Sequence, residues 1–285
     1  MHVETGVLEM PAYAKINITL DVLGLRSDGY HDVEMIMQSV DLHDIVRVQR
    51  RKDDAIVLHS DTPGVPLDER NLMVRAASLL RREAGGESGV DLTLGKRIPI
   101  AAGLAGGSAD AAATLHLLNR LWSLEWPLSR LMDLGARLGS DVPFCLQGGT
   151  ALASGRGERI EAVQSLAGLT VLLVKPPFGV STPEIYKGFD RLENKPLRQA
   201  SRRLLERQSQ DGLFALFHND LQEVTAGLYP EVGELIERIA GMGGRGVMTG
   251  SGPTVMGLFT DSAEMQRARE LFARQYPETY VVRTI

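Results

Sequence analysis

A single cysteine, Cys145, in 285 residues excludes an intramolecular disulfide. The sequence has no positively charged leader with an apolar core and no long apolar run, so neither export nor a membrane span is expected and the cytoplasm is the default compartment. It has no low-complexity tail and no internal repeat. A net charge of −5 lacks the cationic excess that nucleic acid or an anionic membrane would attract. The basic runs RRKDD, LLRRE and SRRLLER are interrupted by acids or apolar residues and read as solvated faces. His2, His43, His59, His116 and His218 show no metal-ligand spacing, and Cys145 reads as a small buried residue rather than a nucleophile. What is present, 44% hydrophobic and 24% charged residues, is ordinary for one large or two moderate globular domains.

The order of elements alternates. Ala14 to Asp21 places Ile16, Ile18 and Leu20 on one face and Lys15, Asn17, Thr19 and Asp21 on the other, which predicts a strand with one polar face. Strands follow at Val33–Val40, Ile45–Val48, Ile56–His59 and Val90–Leu94, with a helix over Leu72–Arg82. Helices to about Trp122 and over Ser129–Leu138 precede a hairpin near Thr150–Val163. From Leu169–Lys175 to Tyr280–Ile285 the second half reduces to β-α-β-β-α-β, with a capping box at Asp261-Ser-Ala-Glu264. That split βαβ pattern predicts a ferredoxin-like domain. The boundary is expected near Gly155–Ser165, dividing the chain into residues 1–160 and 161–285, with the last strand free to return to the first domain.

Pro99 to Leu115, PIAAGLAGGSADAAATL, sets a glycine-rich turn against an alanine-rich amphipathic helix. Gly103, Gly106 and Gly107 can take positive φ, and the helix start adds unpaired N–H donors and a positive dipole end, the conditions for holding a phosphate. Ser108 or Asp110 would cap that helix or meet a nucleotide's Mg²⁺. The segment is not a P-loop, because no Gly-Lys-Ser/Thr follows. Gly241-Met-Gly-Gly-Arg-Gly246 matches a dinucleotide fingerprint literally, but a helix over Glu231–Ala240 precedes it and Gly241 stands where a cap belongs, so a Rossmann reading fails.

Three smaller constellations stay open on spacing alone. Lys15 and Asn17 share a strand face, which is either a polar site or a solvated surface. Asp141, in Gly139-Ser-Asp-Val-Pro-Phe144, is either a reactive carboxylate or a turn residue. Gly250-Ser-Gly-Pro-Thr254 is a glycine turn that suits a hairpin as well as a ligand. Together, an acid, a lysine and two glycine turns permit phosphoryl transfer.

The blocks AKINITLDVLGLRSDGYHDVEMIMQSVDLHD, PIAAGLAGGSADAAATL and TGSGPTVMGLF, in this order, resemble the three motifs of the GHMP kinase superfamily, named for galactokinase, homoserine kinase, mevalonate kinase and phosphomevalonate kinase. The likeness runs almost end to end. Within that superfamily, Lys15-Ile-Asn17 followed by Asp28-Gly-Tyr-His31, with GSDVPF and STPEIY, is similar to the branch that acts on a cytidine-diphosphate-linked methylerythritol.

The resemblance implies an α+β, two-domain GHMP kinase-like fold: an N-terminal ribosomal-S5-like nucleotide-binding domain and a C-terminal ferredoxin-like α/β sandwich. It implies ATP-dependent phosphorylation, with Mg²⁺, of the tertiary C2 hydroxyl of that substrate, in the non-mevalonate route to isoprenoid precursors. By matching positions, Asp141 is the base or orienter of the hydroxyl, Lys15 neutralises developing charge and Asn17 positions substrate. Tyr30 and Tyr186 stack on cytosine, His31 reads its hydrogen-bonding edge, and Thr182 touches substrate. Pro99, Ile100, Ala101, Ala102, Gly103, Leu104, Ala105, Gly106, Gly107, Ser108 and Ala109 wrap the ATP phosphates, with Asn71 and Lys96 near the nucleotide.

Ala105 and Ala109 depart from relatives that carry glycine and serine there. Ala105 is therefore expected to need no positive φ, and Ser108 becomes the expected metal contact. The rival readings are another small-molecule kinase of the same superfamily and a non-enzymatic sensor, and the presence of both Lys15 and Asp141 favours the enzyme.

Overall fold

The structure, a computed structural model, describes residues 6–86, 88–193, 199–207 and 212–285, so His2 lies outside it. The chain divides into two compact units, the first made of residues 1–14, 42–98 and 105–148 and the second of 15–41, 99–104 and 149–285. Two long strands, β1 (Val7–Leu25) and β2 (His31–Arg50), contribute residues to both.

In the first unit the C-terminal half of β2 pairs antiparallel with β4 (Val90–Gly95), and β4 pairs parallel with β3 (Ile56–His59). Helix α1 (Leu72–Ala84) begins where the Asn71 carboxamide accepts from the Met73 N–H, and ends at Gly85 with φ +65°. Its Met73, Ala76, Ala77 and Leu80 recur at helical spacing and enter a core with Val46, Val48, Val90, Leu92 and Leu94. Helix α2 (Gly106–Leu121) joins that core through Ala111, Ala112, Leu115 and Leu118, its alanines favouring helix and leaving space for close approach to α1. Helices α3 (Leu128–Leu138) and α4 (Val142–Gln147) complete the unit.

In the second unit the N-terminal half of β2 pairs with β5 (Thr150–Ser154), which pairs with β6 (Arg159–Ala162). After β7 (Thr170–Val174) come α5 (Thr182–Asp190), α6 (Ala200–Leu205), a 3₁₀ turn, β8 (His218–Asn219), α7 (Gln222–Leu228) and α8 (Pro230–Gly241). Then β9 (Arg245–Met248), β10 (Val255–Leu258), α9 (Ser262–Ala273) and β11 (Thr279–Arg283) close the chain. β8 pairs with β1. The second sheet runs β11-β7-β10-β9, with β10–β7, β10–β9 and β11–β7 all antiparallel, so β10 separates β7 from β9 as the split βαβ pattern expects. β11 pairs in this sheet, and a single bridge joins Thr284 to Val40.

Several expectations are corrected. The two strands read at Val33–Val40 and Ile45–Val48 form one strand, because the polar residues between them are satisfied: Asp41 accepts from the Arg283 N–H, and Asp44 is fully buried among donors. Of the two readings left open for the polar row on β1, the solvated surface fails, since Lys15, Asn17, Thr19 and Asp21 are all buried. Long-range partners make this tolerable: Thr19 Oγ1 lies 2.8 Å from Ser201 Oγ, and Asp21 accepts from the Ala200 and Ser201 N–H groups. Gly241 is the last residue of α8 rather than its cap; Met242 caps the helix and the left-handed residue is Gly243.

Candidate active site

In the second unit the three glycine-containing and lysine-containing blocks converge on Lys15. This residue, 4% exposed, donates through its ammonium to Asn17 Oδ1 at 2.7 Å and to the Gly103 carbonyl at 3.2 Å, while its backbone N–H donates to the Leu104 carbonyl. The Asn17 N–H donates to Thr249 Oγ1 at 2.9 Å. Asn219 ties down the turn after Thr249 by donating to the carbonyls of Met248 and Gly250 at 2.9 and 2.8 Å. Ser251, in the same turn, meets Thr182 hydroxyl to hydroxyl at 2.8 Å. The two glycine turns touch: a Cβ on Gly103 would stand 2.6 Å from the Thr249 carbonyl oxygen, so no side chain fits there.

The loop leading to α2 differs from expectation. Left-handed residues fall at every second position, with φ +52° at Ala101, +75° at Gly103 and +56° at Ala105. Ala105 therefore does take positive φ, because the tertiary setting overrides its intrinsic cost of about 1–3 kcal/mol. Gly106 and Gly107 are instead ordinary helical residues, and Ala105 is the N-cap with no side-chain bond. Neither Ser108 nor Asp110 caps α2. Pro99, Ala102 and Leu104 are buried and Ile100 is exposed, so alternate residues anchor the loop. Left-handed turns of this type turn N–H groups to one side, which suits an anion.

In the first unit Ser108 lies half-buried on the first turn of α2, and a Cβ on Gly139 would stand 3.8 Å from its hydroxyl. That contact brings Ser108 to the turn holding Asp141, the N-cap residue of α4, whose carboxylate makes no capping bond. Ala109 is buried. Lys96 is ion-paired with Asp44 and, at 2.9 Å, with Asp110; a Cβ on Gly106 would reach its ammonium at 2.8 Å. Asp44 also accepts from the Arg97 and Ile98 N–H groups, bracing the entry to the loop. Burial holds the Asp110 carboxyl above the usual carboxylate range against the pull of Lys96, and among the described residues its Oδ1 has no hydrogen-bond partner. Burial opposes the charge on Lys96, but Asp110 and Asp44 outweigh it and raise its pKa. Asn71 uses its amide as a helix cap and as a donor to the Pro66 carbonyl.

The expected cytosine-binding residues belong to the second unit. His31 is buried and stacks on Tyr186, centroids 4.8 Å apart, and its Nε2 lies 2.8 Å from Asp190 Oδ1. Tyr186 is half-buried beside the core residues Ile185 and Phe189. Tyr30 is exposed, with the Arg156 guanidinium 4.8 Å above its ring. Thr182 opens α5.

Among the described residues, the group of three metal-type ligands is Asp21, His218 and Asp220. Its carboxylates already serve the N–H groups of Ala200, Ser201 and Val22 and the His218 ring, so it reads as a structural latch. Sequence reasoning passed over Asp44, Arg156, Asp190, Asn219, Thr249 and Ser251. Only the glycine turn signalled the last two; the others have no local pattern.

Residues 71–149 match the model of the GHMP kinases N terminal domain and residues 197–278 that of the GHMP kinases C terminal domain. A 4-diphosphocytidyl-2-C-methyl-D-erythritol kinase of Shouchella clausii (strain KSM-K16) is 48% identical over 276 residues, covering 96% of this chain and 93% of the relative. One from Clostridium botulinum (strain Eklund 17B / Type B) is 43% identical, covering 98% and 100%. A solved 4-(cytidine 5'-diphospho)-2C-methyl-D-erythritol kinase superposes with a TM-score of 0.81 at 32% identity, covering 97% of this chain and 99% of that one. No helix among the described residues is long and apolar enough to cross a membrane. With two matched family models and near full-length identity at this level, the chain belongs to the GHMP kinases, in the family of the 4-diphosphocytidyl-2-C-methyl-D-erythritol kinases.

Proposed function

We propose that this chain transfers the γ-phosphoryl group of ATP to the tertiary C2 hydroxyl of 4-diphosphocytidyl-2-C-methyl-D-erythritol, giving the 2-phosphate and ADP on the non-mevalonate route to isoprenoid precursors. The observation that carries this reading is the buried Lys15 ammonium bonded to both Asn17 and the Gly103 carbonyl. Phosphoryl transfer asks for fixed positive charge where negative charge moves and for a backbone cradle around the phosphates. A lysine tied to a left-handed glycine loop supplies both.

In this reading Asp141 accepts or orients the hydroxyl proton, Lys15 balances the charge on the moving phosphoryl group, and Asn17 and Thr182 hold the substrate. Pro99 to Ala109 receives the triphosphate; Asn71 and Lys96 brace the helix starts on its nucleotide side. Tyr30, Tyr186 and His31 recognise the cytosine ring. Mg²⁺ typically keeps several waters and binds through one or two protein oxygens plus phosphates. The half-buried Ser108 hydroxyl beside the Gly139–Asp141 turn fits that sparse donor set. The ion would supply charge neutralisation on the phosphates.

The test is incubation with ATP, Mg²⁺ and a panel of alcohols, following ADP. Phosphorylation of the cytidylylated alcohol alone is the expected result. Turnover of a sugar, homoserine or mevalonate in its place would overturn the reading in favour of another kinase of the superfamily.

A further inference from the structure

Helix α5 presents Tyr186 and Asp190 four residues apart, hence on one face, and both engage the same imidazole. Tyr186 stacks on the His31 ring and Asp190 holds its Nε2 at 2.8 Å. Ile185 and Phe189, both buried, anchor the helix along the neighbouring face. A carboxylate is only an acceptor, so in the neutral ring Nε2 keeps the proton and Nδ1 is left as an acceptor. Among the described residues Nδ1 makes no hydrogen bond of its own.

We infer that Asp190 is a positioning residue that locks His31 as an acceptor at Nδ1 and thereby sets a preference for cytosine over uracil. This rests on the reading that His31 recognises the pyrimidine. Cytosine offers an amino donor at position 4, whereas uracil offers a carbonyl acceptor there. An acceptor at Nδ1 pairs with the first and meets the second lone pair to lone pair. With the opposite tautomer the preference would invert. Asp190 thus acts through the imidazole and not on the ligand.

The experiment measures binding of cytidine diphosphate and uridine diphosphate by calorimetry to the wild type, Asp190→Ala and Asp190→Asn, with ATP binding as the check on folding. The wild type is expected to prefer the cytidine nucleotide. Asp190→Ala should lower that preference by about tenfold or more, the scale of one misdirected hydrogen bond. Asp190→Asn, whose NH₂ can turn to Nε2 and reverse the tautomer, should lower it at least as far. Nitrogen-15 NMR of His31 should report the proton on Nε2 in the wild type and a mixture or the opposite tautomer in the variants.

An equal fall in affinity for both nucleotides would assign Asp190 a purely structural part and overturn the inference. So would an unchanged preference, or an unchanged tautomer. A wild type that binds neither nucleotide overturns the pyrimidine reading itself.

Discussion

The three glycines of the loop that precedes and opens α2 should respond differently to one methyl group. At Gly103 an alanine must hold φ +75°, costing about 1–2 kcal/mol, and its Cβ would lie 2.6 Å from the Thr249 oxygen and 3.1 Å from that of Gly252. Both are backbone atoms and cannot swing aside, so overpacking adds about 1–3 kcal/mol. Gly103→Ala should therefore destabilise by about 2–5 kcal/mol. Gly106→Ala presses on the Lys96 ammonium at 2.8 Å and Ile98 Cγ2 at 3.0 Å, side-chain atoms that can yield, though Lys96 is held by two carboxylates. About 1–3 kcal/mol is the expected loss. At Gly107 the nearest atom is Leu72 Cδ1 at 3.7 Å and the backbone is helical, so alanine should stabilise by about 0.5–1 kcal/mol. Gly107→Val, in turn, places a branched side chain beside the first-turn N–H groups and should weaken ATP binding while cytidine diphosphate still binds. Denaturant midpoints rank the stabilities, and calorimetric titration with each nucleotide reads the site. Equal midpoints for Gly103→Ala and Gly107→Ala would refute the contact between the two glycine turns. Undiminished ATP affinity in folded Gly107→Val protein would move the phosphate site elsewhere.

Asp141→Asn should slow turnover by at least about 100-fold if the carboxylate takes the proton, with both ligands still bound; a loss under about tenfold would assign it to orientation. Lys15→Met should also lower single-turnover phosphorylation by removing charge where charge moves, and equal rates in both variants and wild type would dismiss the pair. Tyr30→Ala and Tyr186→Ala should each weaken cytidine diphosphate by about 1–3 kcal/mol in calorimetry while sparing ATP. Because burial raises the Asp110 pKa in the folded state, the unfolded chain binds fewer protons there. Stability should then fall as pH rises from the ordinary carboxylate range towards neutrality. Asp110→Asn should flatten that fall in denaturant midpoints taken across the range, and a parallel slope would contradict the buried carboxyl.

Much of the fold was legible because its signals are local. The apolar spacing of α1, the alanines of α2 and Asp261 ahead of α9 each act within a turn or two of themselves. What stayed hidden depends on partners far along the chain. Asn17 and Thr249 are 232 residues apart and His31 and Asp190 are 159 apart, so neither pairing leaves a periodic trace. Spacing left the polar row of β1 open between a site and a surface for the same reason: strand alternation records which residues differ, not which face is covered. Ala101 and Ala105 failed in the opposite sense. Their identity argues against left-handed backbone, and packing around Gly103 imposes it.

The interleaving of the two units sets an order of completion during synthesis. All three segments of the first unit have been made once the ribosome passes Gly148, whereas the second draws on residues from Lys15 to Ile285. Nascent chains would therefore carry the Lys15 row unfinished until Thr249 emerges and the hydrophobic strand β7 without one neighbour until β11 emerges, an interval in which exposed apolar strand favours chaperone capture. A fragment ending at Gly148 contains every residue of the first unit. No contiguous fragment contains the second without residues 42–98 and 105–148 of the first.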